Sequence, residues 1–243
     1  MDFLEGNTND INDINDLENI FYINLLERKD RNETLQNELK KIGLNEKSQR
    51  FNAIKLKKGL AGCALSHIKV LEEAIKNNLD YLMVFEDDFE VFNPSLFKEN
   101  LNNFLKNVKQ FDVLLLCGNN EPPFNRINNV DYCIKVKKCQ TLAGYLVRNH
   151  YFETLLKNYK EGLNWLLKYP NKDRFYAIDK YNLQLQQRDN WYLLIPSTAC
   201  QSNGFSNIAN SNMNYRKIMV DYEKVNFLIY QELEWKRDNG LID

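Results

Sequence analysis

Three consecutive carboxylates, Glu86-Asp87-Asp88, close the apolar run Tyr81-Leu82-Met83-Val84-Phe85. Clustered carboxylate oxygens suit a hard divalent cation, manganese or magnesium, of the kind that accompanies a phosphate-bearing ligand. Two other groups of residues carry related chemistry. Arg28 and Arg31 flank the start of a helical pattern, where guanidinium forks and unpaired backbone N–H groups both favour an anion. Gly62, Ser66 and His67 stand at the mouth of a second helical pattern. Glycine there permits close approach of a ligand, and the hydroxyl and imidazole can hydrogen-bond a sugar or a phosphate. Each group has a plainer reading too. The acids can form a solvated turn, the arginines can pair with Glu27 or Asp30, and His67 can be a half-buried helix histidine with a satisfied ring. With two histidines in the chain and no second one near it in sequence, His67 is not assigned as a metal ligand.

The elements that must position these residues read as an alternation of strands and helices. Ile20 to Leu25 forms a buried first strand, and Leu35, Leu39 and Ile42 mark a helix ended by Gly43. Phe51 to Ile54 is a short second strand. Leu60 to Asn77 is an amphipathic helix that leads into the strand Tyr81 to Phe85, so the acids fall at a strand's carboxyl end. That is the edge where open α/β sheets bind ligands. Pro94 to Val108 follows as a helix, with Pro94 suited to its first turn. Further strands are expected at Phe111 to Cys117, at Cys133 to Lys138 as an exposed or edge strand, at Thr141 to Val147 and at Trp191 to Ile195. Helical segments are expected over Tyr151 to Tyr159, Leu163 to Tyr169 and Ile178 to Gln187. The stretch from Gln201 to Asn214 reads as a mobile loop, and Tyr215 to Arg237 as a long closing helix. Residues 1–18 are polar, acidic and repetitive, and are expected to be a flexible tail or at most a capping segment, leaving 19–243 as one domain.

A chain of 243 residues, 44% of them hydrophobic, can bury a sizeable core. A net charge of −1 offers no basic field for a nucleic-acid backbone, so nucleic acid is not an expected partner. Five cysteines without a Cys-x-x-Cys pair disfavour a zinc ribbon and a disulfide framework. No apolar run reaches membrane-spanning length, and the acidic, polar start lacks the pattern of a secretion signal, so a soluble, cytoplasmic protein is expected. A Gly-x-Ser-x-Gly elbow is missing, and no glycine-rich loop follows the first strand, which ranks nucleotidyl transfer low.

Taken in order, the motifs resemble glycosyltransferase family 25, which includes lipopolysaccharide and collagen hydroxylysine galactosyltransferases. They are Ile23-Asn24-Leu25 with Arg28 and Arg31, then Gly62-Cys63-x-Leu65-Ser66-His67, then Phe85-Glu86-Asp87-Asp88. Ala143-Gly144-Tyr145, Ala177-Ile178-Asp179, Pro196 to Gln201 and Ser206 to Ile208 continue the likeness, which spans about residues 19 to 210. The resemblance implies a GT-A fold, a Rossmann-like mixed α/β sheet flanked by helices. It implies a metal-dependent, inverting transfer of galactose or glucose from a UDP-sugar to an acceptor hydroxyl on a glycan or protein. Asp88 and Glu86 would hold Mn2+ or Mg2+. Asn24, Leu25, Arg28, Arg31, Gly62, Ser66, His67, Glu86, Asp87, Gly144 and Tyr145 would bind the donor, and Asp179 would be the catalytic base. The alternative is a non-catalytic module of the same fold that binds sugar nucleotides or carbohydrate.

Overall fold

The computed structural model describes residues 11–202, 204–206, 211–213, 215–225 and 236. Strand β1 (Ile20–Asn24), helix α1 (Lys29–Ile42), β2 (Ser48–Asn52), α2 (Gly59–Lys76) and β3 (Tyr81–Glu86) form the first half of the site's scaffold. Next come β4 (Phe89–Val91), α3 (Pro94–Asn107), β5 (Val113–Leu115), β6 (Asn119–Asn120), β7 (Asn125–Arg126), β8 (Cys133–Lys135), β9 (Cys139–Gln140) and β10 (Gly144–Arg148). The chain continues through α4 (Phe152–Lys168), α5 (Asp173–Tyr176), α6 (Ile178–Tyr181), α7 (Leu183–Gln186), β11 (Trp191–Leu194) and β12 (Ala199–Gln201). A hairpin, β13 (Gly204–Ser206) and β14 (Ser211–Met213), precedes α8 (Tyr215–Val220).

Eight strands make one mixed sheet in the order β2-β1-β3-β10-β5-β11-β8-β7. β1 runs parallel to β2 and β3, and β5 parallel to β11. Because β10 is antiparallel to both β3 and β5, those two strands point the same way. The carboxyl ends of β1, β2, β3, β5 and β11 therefore share one edge, where Glu86 pairs with Ile23 and Asn24 follows as the last residue of β1. Helices cover both faces, as expected for this α/β architecture. Along β3, Met83 and Phe85 pack into a core with α1 and α3, while Leu82 and Val84 pack into a second core with α2 and α4. This period of two, buried on both sides, is why the strand reads as an unbroken apolar run.

Local signals set the helix ends. Gly43 adopts φ +79° and donates its N–H to the carbonyls of Leu39 and Lys40, closing α1. The Asn93 side chain accepts from the Leu96 N–H ahead of Pro94, opening α3.

Several expectations are corrected. Of the two readings of residues 1–18, residues 11–18 take the capping one and not the flexible tail: Ile11, Ile14 and Leu17 are buried in the α1/α3 core. The Ile14 N–H donates to Asn102, and Tyr81 donates to the Asp16 carbonyl. Their spacing of three is that of a helical turn, hidden in sequence by the polar residues between. Residues 1–10 lie outside the described residues. β8 is not the edge, because β7 pairs outside it. Tyr151 to Tyr169 holds one continuous helix, with Gly162 against the Tyr181 ring where a Cβ would lie 2.9 Å away. Ile178 to Gln187 divides into α6 and α7. Part of the expected mobile loop forms the β13/β14 hairpin. The expected closing helix is interrupted at residues 221–224, where Lys224 takes φ +56°, and Val225 and Lys236 are again helical. Residues 226–235 and 237 of it lie outside the described residues.

Leu17 is wholly buried, so Leu17→Ala should lower the unfolding free energy by about 2–5 kcal/mol. Urea titration checks this, and an unchanged midpoint would mean that the segment is not part of the core.

Candidate active site

Asn24, the last residue of β1, is buried. Its amide nitrogen donates to Asp87 Oδ2 (2.7 Å) and to the Arg28 carbonyl (3.1 Å), and its Oδ1 accepts from Arg50 Nη2 (2.5 Å). Arg31, on the first turn of α1, reaches Asp87 Oδ1 at 2.8 Å and approaches Asp88 Oδ2 at 3.8 Å. Both oxygens of Asp87 are therefore engaged by the protein. Asp88 differs. Its Oδ2 accepts from Gln201 Nε2 at 2.7 Å, and its Oδ1 is buried without a hydrogen-bond partner. The β4/β12 pairing, which sets Gln201 opposite Phe89, brings Gln201 there. Burial and then the neighbouring Glu86 charge push the Asp88 carboxyl up to about 7, with Gln201 and Arg31 pulling the other way.

Glu86 faces α2. Its Oε1 accepts from His67 Nε2 (2.9 Å) and from the Cys63 thiol (3.5 Å). Burial raises its pKa, but the His67 hydrogen bond and charge outweigh that, and the carboxyl lies below its ordinary value. The His67 ring is buried, stacks on Tyr145 with centroids 5.7 Å apart, and shares Nδ1 with the Tyr145 hydroxyl at 3.0 Å. Burial, reinforced by Glu86, holds Cys63 well above its ordinary range, so it stays a thiol. Cys63, His67 and Glu86 are the one set of three such side chains, among the described residues, whose ligand atoms lie within 4.8 Å of one another. The three consecutive acids do not converge in this way, because Asp87 is turned toward Asn24 and Arg31.

Asp179 opens α6, and its Oδ2 accepts from the Thr141 N–H at 3.3 Å. Burial raises its pKa, and the Glu86 charge adds to the rise. Thr141 adopts φ +81°. For a β-branched residue this conformation costs on the order of 1–3 kcal/mol, and it sits at the contact with Asp179.

The remaining expected donor residues serve the protein itself. A Cβ on Gly62 would lie 2.4 Å from the Ile54 carbonyl, so its close approach is to backbone rather than to an open cleft. The Ser66 hydroxyl accepts from the Ile54 N–H and donates to the Gly62 carbonyl, fully buried. Gly144 leaves room for the Phe89 ring, and Tyr145 lies behind His67. Arg28 makes a bidentate pair with exposed Asp30, the plainer of its two readings. Leu25 contributes its carbonyl to Arg50 and to the Arg28 N–H. Arg50 and Gln201 were not legible as site residues. Arg50 lies on β2, which begins three residues before the expected Phe51, and its buried Nε has no partner.

Comparison with known proteins follows the same direction. The family described as "Glycosyltransferase family 25 (LPS biosynthesis protein)" matches residues 54–182, just over half of the chain. A Haemophilus influenzae protein named "Putative glycosyltransferase" is 40% identical over 55 residues, a match spanning 20% of this chain and 20% of that relative. Similar solved structures include a mannose-1-phosphate geranyltransferase from Thermus thermophilus, 10% identical over 72% of each chain with a TM-score of 0.42. A197 from STIV is 12% identical, covering 82% of this chain and 94% of that one with a TM-score of 0.43. A glycosyltransferase involved in glycosylating the major capsid of PBCV-1 is 8% identical, covering 72% and 91%, with a TM-score of 0.38. At such distances these likenesses say nothing of residue roles.

The raised Asp88 carboxyl has a measurable consequence. Below its unfolded pKa, near 3.8, both states hold the proton. From there to about 7 the unfolded chain releases a proton that the folded chain keeps, so this group's contribution to stability falls as pH rises and levels off above 7. Without divalent cations, Asp88→Asn should match the wild type near the low end and exceed it at mildly alkaline pH by on the order of a few kcal/mol. Chemical denaturation at both ends checks it, and a pH-independent difference would contradict the assignment.

Proposed function

The chain belongs to glycosyltransferase family 25, and from that premise we propose that it transfers galactose or glucose from a UDP-sugar to an acceptor hydroxyl, with inversion and with a divalent cation. The observation that carries this reading is the Asp88 carboxylate, whose Oδ1 is buried and unpartnered beside Glu86 at the carboxyl edge of the sheet. The donor set fits a hard cation: oxygen ligands, one of them lacking any compensation for its burial. Asp88 with Glu86 would hold Mn2+ or Mg2+. When bound, such an ion supplies Lewis-acid stabilisation of negative charge on the donor diphosphate.

The chain's own residues supply the rest. Arg31, at the start of α1, offers a guanidinium to the departing diphosphate from beside the acids. Asp87 positions that guanidinium. His67, through its hydrogen bond to Glu86, fixes the orientation of the Glu86 carboxylate. Asp179 is the proposed base. In a single displacement the acceptor oxygen bonds to the anomeric carbon, the bond from that carbon to the diphosphate oxygen breaks, and the acceptor proton passes to the Asp179 carboxylate. Its burial-raised pKa suits a group that must take up a proton. The family description names lipopolysaccharide biosynthesis, and a glycan acceptor of that kind is consistent with this reading. No helix among the described residues is long and apolar enough to cross a membrane.

Two variants test the assignment against a screen of UDP-galactose and UDP-glucose with manganese. Asp88→Asn should abolish the manganese-dependent thermal shift by the donor, and undiminished transfer in that variant would sink the metal role. Asp179→Asn should keep donor binding and lose about 10²- to 10⁴-fold in transfer rate. Donor binding by the wild type with no transfer to any acceptor would favour the non-catalytic module instead.

A further inference from the structure

The carboxyl-terminal turn of α4 and the short α5 expose an aromatic cluster that neither core absorbs. Trp165 is 40% and Tyr169 38% exposed. Their rings lie within 14° of parallel at 5.8 Å between centroids, and Tyr176 lies 6.1 Å from Trp165 at 24° and 6.2 Å from Tyr169 at 32°. Lysines border them. Lys168 Nζ sits 5.2 Å from the Trp165 centroid and 5.5 Å from that of Tyr169, and Lys172 Nζ sits 5.5 Å from Tyr169. Between Trp165 and Arg174 three cations face a single acid, in a chain whose net charge is −1.

This patch adjoins the candidate active site by two independent routes. Tyr176 precedes Asp179 by three residues, so their Cα atoms are at most about 11 Å apart. On the other side, the Lys58 ammonium donates to the Pro170 carbonyl. Lys58 is the N-cap of α2, the helix that carries Cys63 and His67. The exposed rings are thereby tied to both the helix behind Glu86 and the helix bearing the proposed base.

We infer that Trp165, Tyr169 and Tyr176, bordered by Lys168, Lys172 and Lys58, form the binding platform for an acidic oligosaccharide acceptor whose reacting hydroxyl is led to Asp179. This rests on the transferase reading given above and adds to it the chemical class of the acceptor. A pyranose presents an apolar C–H face that covers exposed aromatic surface, and exposed aromatic rings rimmed by charged residues mark an interaction surface. The ammonium groups of Lys168 and Lys172, drawn to these rings by cation–π attraction, are on mobile side chains that would swing to the rim of a bound sugar and meet its phosphate or carboxylate substituents. An anionic bilayer would also meet aromatic rings and lysines, but a lipid-docking face has no need to adjoin the proposed base, and this one does.

The test titrates the full chain with a lipid-free, phosphorylated lipopolysaccharide core oligosaccharide, with the same oligosaccharide after phosphatase treatment, and with phosphatidylglycerol vesicles. UDP with manganese is titrated in parallel. The phosphorylated oligosaccharide should bind. Phosphatase treatment, Trp165→Ala and Lys172→Glu should each weaken it by about tenfold or more, with UDP binding unchanged. Retained UDP binding alongside absent or variant-insensitive oligosaccharide binding overturns the platform alone. Trp165-dependent binding of vesicles without oligosaccharide binding assigns the patch to a membrane and also overturns it. A wild type that fails to bind UDP sinks the transferase reading, and this inference with it.

Discussion

The hydrogen bonds that hold Asp87 are the constraint on which the rest of the site depends. Asn24 and Arg31 take one oxygen each, and Asn24 also joins the Arg28 carbonyl and the Arg50 guanidinium. Four segments thus converge on one buried amide: the ends of β1 and β3, the start of α1, and β2. Hydrogen bonds to charged groups contribute about 1.5–3 kcal/mol each. The turn after β3 is therefore fixed. Fixing it decides the direction of the next residue: Asp88 meets Gln201 and leaves an oxygen with nothing to bind.

The contrast between these two neighbours shows where the sequence is optimised for folding and where it is not. Asp87 is satisfied at both oxygens and stabilises the scaffold. Asp88 is half-buried with its Oδ1 wholly enclosed, crowded by like charge, and held partly protonated near neutrality. A local conflict of this kind, beside an otherwise satisfied network, is expected where binding rather than stability set the residue. A cation in contact with Asp88 would remove both penalties at once, which is why its burial favours the cation reading over a solvated acidic turn.

Much of the fold was legible because its signals are local. The double-sided burial of β3 produces a continuous apolar run, Gly43 and Asn93-Pro94 mark helix ends, and the site's acids fall where strand periodicity says a strand should end. What was not legible depends on contacts distant in sequence. Ile11, Ile14 and Leu17 look like a polar tail until α3 covers them. Gln201 reaches Asp88 only through the β4/β12 ribbon, and Arg50 reaches Asn24 only because β2 pairs with β1. Residue type misled in the opposite sense at Gly62, Ser66 and Gly144. At Gly62 the absent side chain suggested close approach by a ligand, but the Ile54 carbonyl makes that approach. The Ser66 hydroxyl, expected to meet a ligand, bonds Ile54 and Gly62. Gly144, a donor residue by resemblance, lies against the Phe89 ring.

His67 joins the two readings that its sequence context left open. It is a buried helix histidine with a satisfied ring, and its partner is Glu86, so the structural role sets the charge at the site. The His67 hydrogen bond keeps Glu86 below its ordinary pKa and hence anionic. That charge in turn raises both Asp88 and Asp179. Burial raises all three carboxyls, and one imidazole, bound to Glu86 alone, drives them apart. Divergent acidities of this kind separate roles: the group held anionic suits a fixed charge beside a cation. A carboxylate with raised proton affinity suits the group that must accept a proton. Asp179 fits that second role and Glu86 does not, because a base anchored to a buried imidazole would have to give up its strongest partner to do its work.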